Sequence, residues 1–256
     1  MNIEYATVPG YRPLLLDIHR GAEPAPLVLY LHGGGWRVGS RSSFGPMLAD
    51  RQPFARLVDA GFTVASADYR LTGEAAFPAQ LDDATAALAW LREHADEYGI
   101  DADRIVLWGE SAGAHLAALL GLRSDGIAAV IDWYGPADLT TFDADQAEAG
   151  IEATPAPGST ETRETLLLGG VPGRAAEASP VTYVHDDAPP FLILHGTADR
   201  FVPCVQSRRL AKALGDKADL RLIEGADHMW LGAPEIAEQA FAWSVEFATR
   251  HCKEIS

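Results

Sequence analysis

A serine flanked by glycines is the part of this sequence that most directly indicates chemistry. Gly109-Glu110-Ser111-Ala112-Gly113 follows the short apolar run Arg104–Trp108 and precedes Ala114–Leu120, whose composition favours a helix. A Gly-x-Ser-x-Gly pentapeptide at a strand-to-helix turn leaves the serine hydroxyl exposed above the edge of a sheet. The pattern therefore predicts that Ser111 is a nucleophile. A glycine- and serine-rich βα loop that arose by chance is the alternative.

Two further side chains are needed, because a serine hydroxyl attacks well only when a base takes its proton and a third group orients the base. With this type of turn the order along the chain is serine, acid, histidine. Asp199 lies in the loop after the apolar strand Phe191–Leu194, and His228 lies in the loop after the next strand, Leu220–Ile223. We expect Asp199 to orient the base and His228 to be the base. The other nearby carboxylates precede a strand, lie in a helix–strand turn or adjoin the histidine: Asp186, Asp187, Asp216, Asp219 and Asp227.

A glycine run is predicted to stabilise the negative charge that develops on an attacked carbonyl. His32–Trp36 reads His-Gly-Gly-Gly-Trp and follows an apolar strand, so its backbone amides are unobstructed by side chains. Fixed donors of this kind contribute about 3 kcal/mol each to the transition state, by analogy with side-chain donors. The amide of Ala112, directly after the serine, is expected to complete the set. A phosphate-binding loop is the alternative, but the run has neither a Lys-Ser/Thr ending nor a G-x-G-x-x-G spacing.

The elements that would hold these residues alternate between strand and helix patterns. This alternation predicts an α/β fold, a mostly parallel eight-stranded sheet covered by helices on both faces. The predicted strands are Tyr5–Val8, Leu14–His19, Leu27–Leu31, Thr63–Ala67, Ile105–Trp108, Ala128–Trp133, Phe191–Leu194 and Leu220–Ile223. The predicted helices are Pro78–Tyr98, Ala112–Leu122, Val205–Leu214 and Pro234–His251. The first two strands, separated by Pro9-Gly10, are expected to pair as a hairpin at one edge.

One segment, residues 136–178, breaks the alternation. It is rich in loop-forming residues and has room for two short helices. A loop this long in a compact domain is generally functional or disordered. We expect an insertion over the site that acts as a partial cap, with a mobile surface excursion as the alternative. Residues 1–256 as a whole are expected to form a single domain, since α/β folds of this length often have one core.

The composition of the chain argues against several classes of binding partner. The formal charge of −16, from 20 basic and 36 acidic residues, argues against a nucleic acid or an anionic membrane as partner. Cys204 and Cys252 lie far apart in no paired motif, so neither a disulfide framework nor a metal site is expected. The first residues show no signal-peptide pattern and no apolar run reaches membrane-spanning length, so we expect a cytoplasmic protein. The C-terminal helix and the edge strand are candidate contacts for a homodimer, and the sequence leaves the oligomeric state open.

At these motifs the sequence resembles the His-Gly-Gly-Gly carboxylesterases of the α/β-hydrolase superfamily. That group includes hormone-sensitive-lipase-like enzymes and smaller acetylxylan- or feruloyl-esterase-like carboxylesterases. The resemblance covers nearly the whole chain and passes through His32–Trp36, Asp68–Leu71, Phe77–Leu81, Gly109–Ala117, Leu167–Gly170, Ala178–Val181, His195–Pro203 and His228. It implies an α/β-hydrolase fold and a serine esterase that hydrolyses a small-molecule ester through an acyl-enzyme, without metal or cofactor.

Carried over residue by residue, the resemblance implies the roles of nucleophile, acid and base for Ser111, Asp199 and His228. Gly34, Gly35 and Ala112 match the oxyanion donors of the family, and Gly33 is a close alternative to the two glycines.

Two departures from the family pattern bear on the pocket. Only the edge hairpin precedes the His-Gly-Gly-Gly strand, which favours the smaller group with a minimal cap and an open pocket. His228-Met229-Trp230 replaces the usual His-Gly-Phe, which suggests a bulkier apolar wall. Four residues on predicted strand-end loops are candidate pocket residues, with core packing as the alternative for the tryptophans: Trp36, Tyr134, Met229 and Trp230.

Short acyl chains, from acetyl to butyryl, are expected in a pocket with little cap. The motifs do not separate an esterase from an amide hydrolase of the arylformamidase or peptidase kind, because both use this machinery. A non-catalytic ligand receptor on the same fold is a further alternative. Such receptors commonly lose the base, whereas His228 is present here.

Overall fold

The computed structural model describes residues 2–22 and 24–252, so that Met1, Glu23 and residues 253–256 lie outside the described part. Its strands form one sheet: β1 Ile3–Ala6, β2 Leu14–His19, β3 Ala25–Leu31, β4 Thr63–Ala67, β5 Ile100–Glu110, β6 Ile127–Trp133, β7 Phe191–Gly196 and β8 Ala218–Ile223. The strand order is β1-β2-β4-β3-β5-β6-β7-β8. The β1–β2 and β2–β4 pairs are antiparallel, and every other neighbouring pair is parallel. The predicted parallel sheet with a hairpin at one edge is confirmed.

Helices pack on both faces of the sheet. They are α1 Pro53–Asp59, α2 Ala79–Glu93, α3 Ala95–Tyr98, α4 Ala112–Arg123, α5 Phe142–Glu148, α6 Arg163–Leu167, α7 Val205–Leu214 and α8 Pro234–His251. The sequence predicts one helix where α2 and α3 stand. The structure breaks it at His94, whose ring nitrogen lies 2.9 Å from the Trp90 carbonyl oxygen and whose ring stacks on that of Trp90 at 4.1 Å. Among the described residues, no helix is both long and apolar enough to cross a bilayer.

The central strands are buried on both faces, which explains why they read as continuous apolar runs. Along β3, Leu27, Leu29 and Leu31 enter one hydrophobic cluster, while Val28 and Tyr30 enter the cluster on the opposite face. Alternate side chains of a strand point to opposite faces, so both helix layers are packed against this one strand.

Parallel strands end at one edge of the sheet, and the predicted site residues lie there. The glycine run follows β3, Ser111 follows β5, Asp199 follows β7 and His228 follows β8. Open α/β sheets bind ligands beyond the carboxyl ends of their strands. The topology therefore brings together residues that are more than a hundred positions apart in sequence.

The first part of segment 136–178 is hydrogen-bonded to the helix α7. Arg209 donates to Asp145 at 2.6 Å, and Gln206 Oε1 accepts from the amides of Ala137 and Asp138 at 2.8 and 2.7 Å. The segment contains α5 and α6, in agreement with the two short helices expected from the sequence. These contacts fix its start beside the carboxyl edge of the sheet.

Candidate active site

Ser111 occupies a strained turn between β5 and α4. Its φ of 53° and ψ of −118° lie in a region that side-chain-bearing residues seldom adopt. A Cβ on Gly109 would overlap the Gly113 carbonyl, and a Cβ on Gly113 would overlap the Leu31 carbonyl. The Ser111 amide donates to the Trp133 carbonyl at 2.8 Å, which ties the turn to β6. Both glycines are therefore required by close backbone packing that holds the serine above the sheet.

Three polar side chains meet at this turn. Nε2 of His228 lies 3.0 Å from Ser111 Oγ, and Nδ1 of His228 lies 2.6 Å from Asp199 Oδ2. A carboxylate only accepts hydrogen bonds, so Nδ1 carries the proton and Nε2 of a neutral imidazole is free to accept from the serine hydroxyl. His228 is 4% exposed and Asp199 is 6% exposed, so bulk water does not compete with either hydrogen bond.

The surroundings of Asp199 keep it ionised. Its Oδ1 accepts from the amides of Phe201 and Val202 at 2.8 and 2.9 Å. Burial alone would raise the pKa of Asp199, but the charge of His228 and the hydrogen bonds from His195 and His228 outweigh burial. The net pKa of Asp199 lies well below its usual range. The carboxylate therefore remains available to an imidazolium throughout the neutral pH range.

His195 is a member of this cluster that sequence reasoning missed. Its Nε2 lies 3.1 Å from Asp199 Oδ2 and 2.9 Å from the Val202 carbonyl oxygen, and its Nδ1 lies 2.6 Å from Ser207 Oγ. The side chain is fully buried. Its place near the end of β7, four residues before the acid, is the signal that could have identified it.

The glycine run forms one wall beside the serine. Gly34 and Gly35 have φ values of +117° and +60°, and the Gly34 carbonyl accepts from the amides of Arg37 and Val38 at 3.1 Å each. Within residues 2–22 and 24–252, the amides of Gly34, Gly35 and Ala112 donate to no protein acceptor. A Cβ on Gly33 would lie 3.6 Å from Ser111 Cβ, so this glycine is also next to the serine. Unpartnered amides beside a serine hydroxyl can bind an oxyanion.

Glu110 is a buried carboxyl group beside the serine. It accepts hydrogen bonds from the hydroxyls of Tyr30 and Tyr134, the second at 2.9 Å. Burial raises the pKa of Glu110, an effect that the two tyrosines, His228 and the Gly45 amide reduce but do not cancel. The Tyr134 ring lies 4.6 Å from the His228 ring. Tyr134 therefore connects Glu110 to the imidazole.

A cavity of about 420 Å³ opens over Ser111 and His228. Its wall includes the glycine run, the loop Ser43–Pro46 and residues between Pro136 and Glu164. Segment 136–178 thus contributes to the cavity wall. This volume lies within the range of ordinary small-molecule sites.

The four candidate pocket residues separate into two groups. Trp36 and Met229 line the cavity, and Met229 has a φ of +57°, a conformation that favours glycine. Tyr134 and Trp230 do not line it, contrary to expectation. Both are almost fully buried, with ring centroids 4.9 Å apart, because the turn after His228 directs Trp230 into the aromatic core of β6. Trp36 also packs inward, since its indole Nε1 donates to His115 Nδ1 at 3.2 Å.

The BD-FAE family matches residues 16–214, which is more than three quarters of the sequence. The chain belongs to the BD-FAE family. Its curated relatives include the esterases LipQ and LipC of Mycobacterium tuberculosis, 35% identical over 81% of this chain and 29% identical over 78% of it. The chain spans about half the length of these two relatives, 51% of LipQ and 52% of LipC.

Solved structures resemble this BD-FAE chain over almost all of its length. A truncated carbohydrate esterase from gut microbiota has a TM-score of 0.79 and 26% identity, and the match covers 98% of this chain and 95% of that one. The propionate-bound esterase Est2 of Thermogutta terrifontis has a TM-score of 0.77 and 26% identity, with 98% and 93% covered. The α/β-hydrolase fold and the resemblance to its carboxylesterases are confirmed.

Proposed function

We propose that this chain is a carboxylic ester hydrolase with Ser111 as its nucleophile. The observation that carries the proposal is the pair of hydrogen bonds that links Asp199 Oδ2 to His228 at 2.6 Å and His228 to Ser111 Oγ at 3.0 Å. A nucleophile, a base and an orienting acid are recognised by geometry of this kind rather than by sequence position, and this supports the three proposed roles. The names of the relatives LipQ and Est2, both esterases, support an ester as the substrate.

Acylation uses Ser111, His228 and Asp199 together. Ser111 Oγ attacks the ester carbonyl while His228 Nε2 takes the hydroxyl proton, and Asp199 stabilises the imidazolium. The amides of Gly34, Gly35 and Ala112 hold the oxyanion of the tetrahedral intermediate. When the intermediate collapses, the C–O bond to the alcohol breaks and His228 gives its proton to the leaving oxygen. An acyl-enzyme on Ser111 and a free alcohol result.

Deacylation repeats the sequence with water as the nucleophile. His228 takes a proton from the water that attacks the acyl carbonyl, and then returns it to Ser111 Oγ as the acid departs. Proton balance is restored at the end of the cycle, so the chain's own side chains suffice for the reaction. We propose no metal or cofactor for it.

Short acyl groups, from acetyl to butyryl, are the proposed substrates. The cavity over Ser111 has a volume of about 420 Å³, which leaves limited room for a long alkyl chain beside the alcohol half of an ester. The related esterase Est2 has been solved with propionate, a three-carbon acid. Soluble esters rather than micellar lipids fit this arrangement.

A fluorophosphonate probe tests the proposal, because it reacts covalently with an activated serine. We expect one label per chain, located on Ser111 by peptide mass spectrometry, and loss of p-nitrophenyl butyrate hydrolysis in proportion to labelling. Label on another residue, or full hydrolysis by fully labelled protein, would contradict the proposal. The same p-nitrophenyl ester and a formanilide, assayed in parallel, separate the esterase from the amide hydrolase.

A further inference from the structure

Most arginines that this acidic chain places outside the cavity have a carboxylate partner. Ion pairs with N···O distances of 4.0 Å or less involve Arg12, Arg41, Arg51, Arg56, Arg70, Arg104, Arg209, Arg221 and Arg250. Arg200 lines the cavity and also has a carboxylate partner, Asp227. Two arginines of the cavity wall differ. In the described part of the chain, the guanidinium groups of Arg37 and Arg163 have neither a carboxylate within that distance nor a hydrogen-bond acceptor. Both side chains are partly buried, and neither guanidinium has a carboxylate or a hydrogen-bond acceptor to replace the water that burial removes.

Arg163 lies over the proposed catalytic centre. Arg163 is the first residue of α6, and its side chain packs against Gly35. A Cβ added to Gly35 would overlap Cδ of Arg163 and would lie 3.0 Å from its Nε. The guanidinium carbon lies 5.8 Å from the centre of the Phe201 ring. That ring in turn lies 5.4 Å from the ring of His228. Arg163 thus extends from the proposed oxyanion loop to the face of Phe201 beside the base.

This position corresponds to the alcohol half of an ester. In the proposed mechanism His228 gives its proton to the leaving oxygen, so the alcohol must depart on the side of His228. Phe201 and Arg163 lie on this side. Arg37 is at the rim, where its Nη2 lies 3.5 Å from the position of a Cβ on Gly158.

We propose that the alcohol half of the substrate carries a carboxylate, which Arg163 binds directly and Arg37 attracts from the rim. The inference rests on the proposed ester hydrolysis. A planar guanidinium can donate two parallel hydrogen bonds to a carboxylate, which fixes its orientation as well as its charge. Phe201 offers a flat apolar surface for an aromatic or ring-shaped group between the carboxylate and the ester oxygen.

Among the described residues, three acidic ones line the cavity, and one of them, Glu110, is held by the hydroxyls of Tyr30 and Tyr134; the other two could compete for these arginines. Glu152 and Glu164 both line the cavity, but neither makes an ion pair with Arg37 or Arg163 within 4.0 Å. Burial raises the pKa of Glu164, and the smaller opposing effects, among them the charge of Arg163, do not cancel this rise. The guanidinium groups therefore remain available to a ligand.

A pair of matched esters tests the inference. 4-Acetoxybenzoate and 4-acetoxybenzamide share the acetyl group and the aromatic ring. The first carries a carboxylate on the ring, where the second carries a neutral amide. We expect Arg163→Gln to lower kcat/KM for the carboxylate ester about 10- to 100-fold, and for the amide ester less than about threefold. Dividing the two effects cancels the different intrinsic reactivity of the two phenol leaving groups.

Arg37→Gln should produce a smaller effect of the same sign, and high salt should reduce the wild-type preference. Arg208→Gln, at an exposed position on α7, is the matched control and should leave both rates unchanged. Competitive inhibition by 4-hydroxybenzoate should weaken in Arg163→Gln, whereas weak inhibition by 4-hydroxybenzamide should not change. Circular dichroism checks that each variant is folded.

Equal losses of kcat/KM on both esters in folded Arg163→Gln would overturn the inference. They would show that Arg163 supports the structure of the glycine run and does not bind the carboxylate of the substrate. Unchanged hydrolysis of both esters would overturn it too. Failure of the proposed function would look different, because then neither ester would be hydrolysed and the fluorophosphonate probe would not label Ser111.

Discussion

His195 Nε2 lies 3.1 Å from Asp199 Oδ2, the same oxygen that Nδ1 of His228 approaches to 2.6 Å. The other oxygen of Asp199 accepts from two backbone amides. Every direction from which this carboxylate can accept is therefore occupied by a fixed donor. The orientation of His228 thus depends on a carboxylate that cannot rotate.

Asp199→Asn should lower kcat for p-nitrophenyl butyrate about 10⁴-fold while the protein remains folded. The uncharged side-chain amide of this variant cannot stabilise the imidazolium of His228. Its NH₂ group is itself a donor, so it cannot accept hydrogen bonds from His195 and His228 as the carboxylate does. Asp227→Asn is the matched control, because Asp227 adjoins His228 but bonds to its backbone amide at 2.8 Å and to Arg200. We expect that variant to lose less than about tenfold. Equal losses in the two variants would remove the case for Asp199.

Tyr134→Phe should destabilise the fold by about 1–3 kcal/mol, because Glu110 loses one of its buried donors. The ring and its packing against Trp230 are retained, so the effect isolates one hydroxyl. Tyr183→Phe serves as the control, since its hydroxyl bonds to the Glu177 carbonyl at an exposed position. Urea unfolding should show a change within about 0.5 kcal/mol for the control. Similar changes in both variants would show that Glu110 does not depend on Tyr134.

Asp132 should make stability depend on pH. Burial raises its pKa from 3.8 to about 6, against smaller opposing effects of the Gly135 amide and His195. Between these two values the folded state binds more protons than the unfolded state, so this residue's contribution to stability falls as pH rises from about 4 to about 6. The loss is about 3 kcal/mol.

Asp132→Asn removes this titration. We expect the free energy of unfolding of the variant, minus that of the wild type, to increase between pH 4.5 and pH 7.5 in urea titrations. Parallel pH profiles of the two proteins would contradict the raised pKa of Asp132.

Gly113→Ala should destabilise the protein strongly, by more than about 3 kcal/mol, because the added Cβ would overlap the Leu31 carbonyl. Gly173→Ala is the control, since no atom of the described residues lies within 4 Å of a Cβ there. Thermal unfolding of both variants measures the difference. A mild effect at Gly113 would mean that the turn around Ser111 can relax.

The sequence predicted the carboxyl ends of the parallel strands well, because burial on both faces gives these strands a continuous apolar pattern, but it missed the first residues of β5, which begins at Ile100. Once β5, β6, β7 and β8 form a run of adjacent parallel strands, the loops that carry Ser111, Asp199 and His228 must lie at one edge of the sheet. Local pattern and topology therefore agree at these residues. The short α1, by contrast, has no pattern that separates it from a loop, and it was not predicted.

Side chains whose position depends on distant packing were harder to predict. Trp230 was expected in the pocket, but the positive φ values of Met229 and Trp230 turn it into the core. Arg163 belongs to a segment that read as a loop, and only the fold brings it to Gly35. Contacts of this kind are set by tertiary structure, which local spacing does not encode.

Turnover by Ser111→Ala is the decisive measurement for Ser111 as the nucleophile. We expect kcat for p-nitrophenyl butyrate to fall by about 10³-fold or more in a variant with the wild-type circular dichroism spectrum and melting temperature. A folded variant that keeps more than about 5% of wild-type turnover would contradict this role of Ser111, because the residual rate after loss of a serine nucleophile is far smaller.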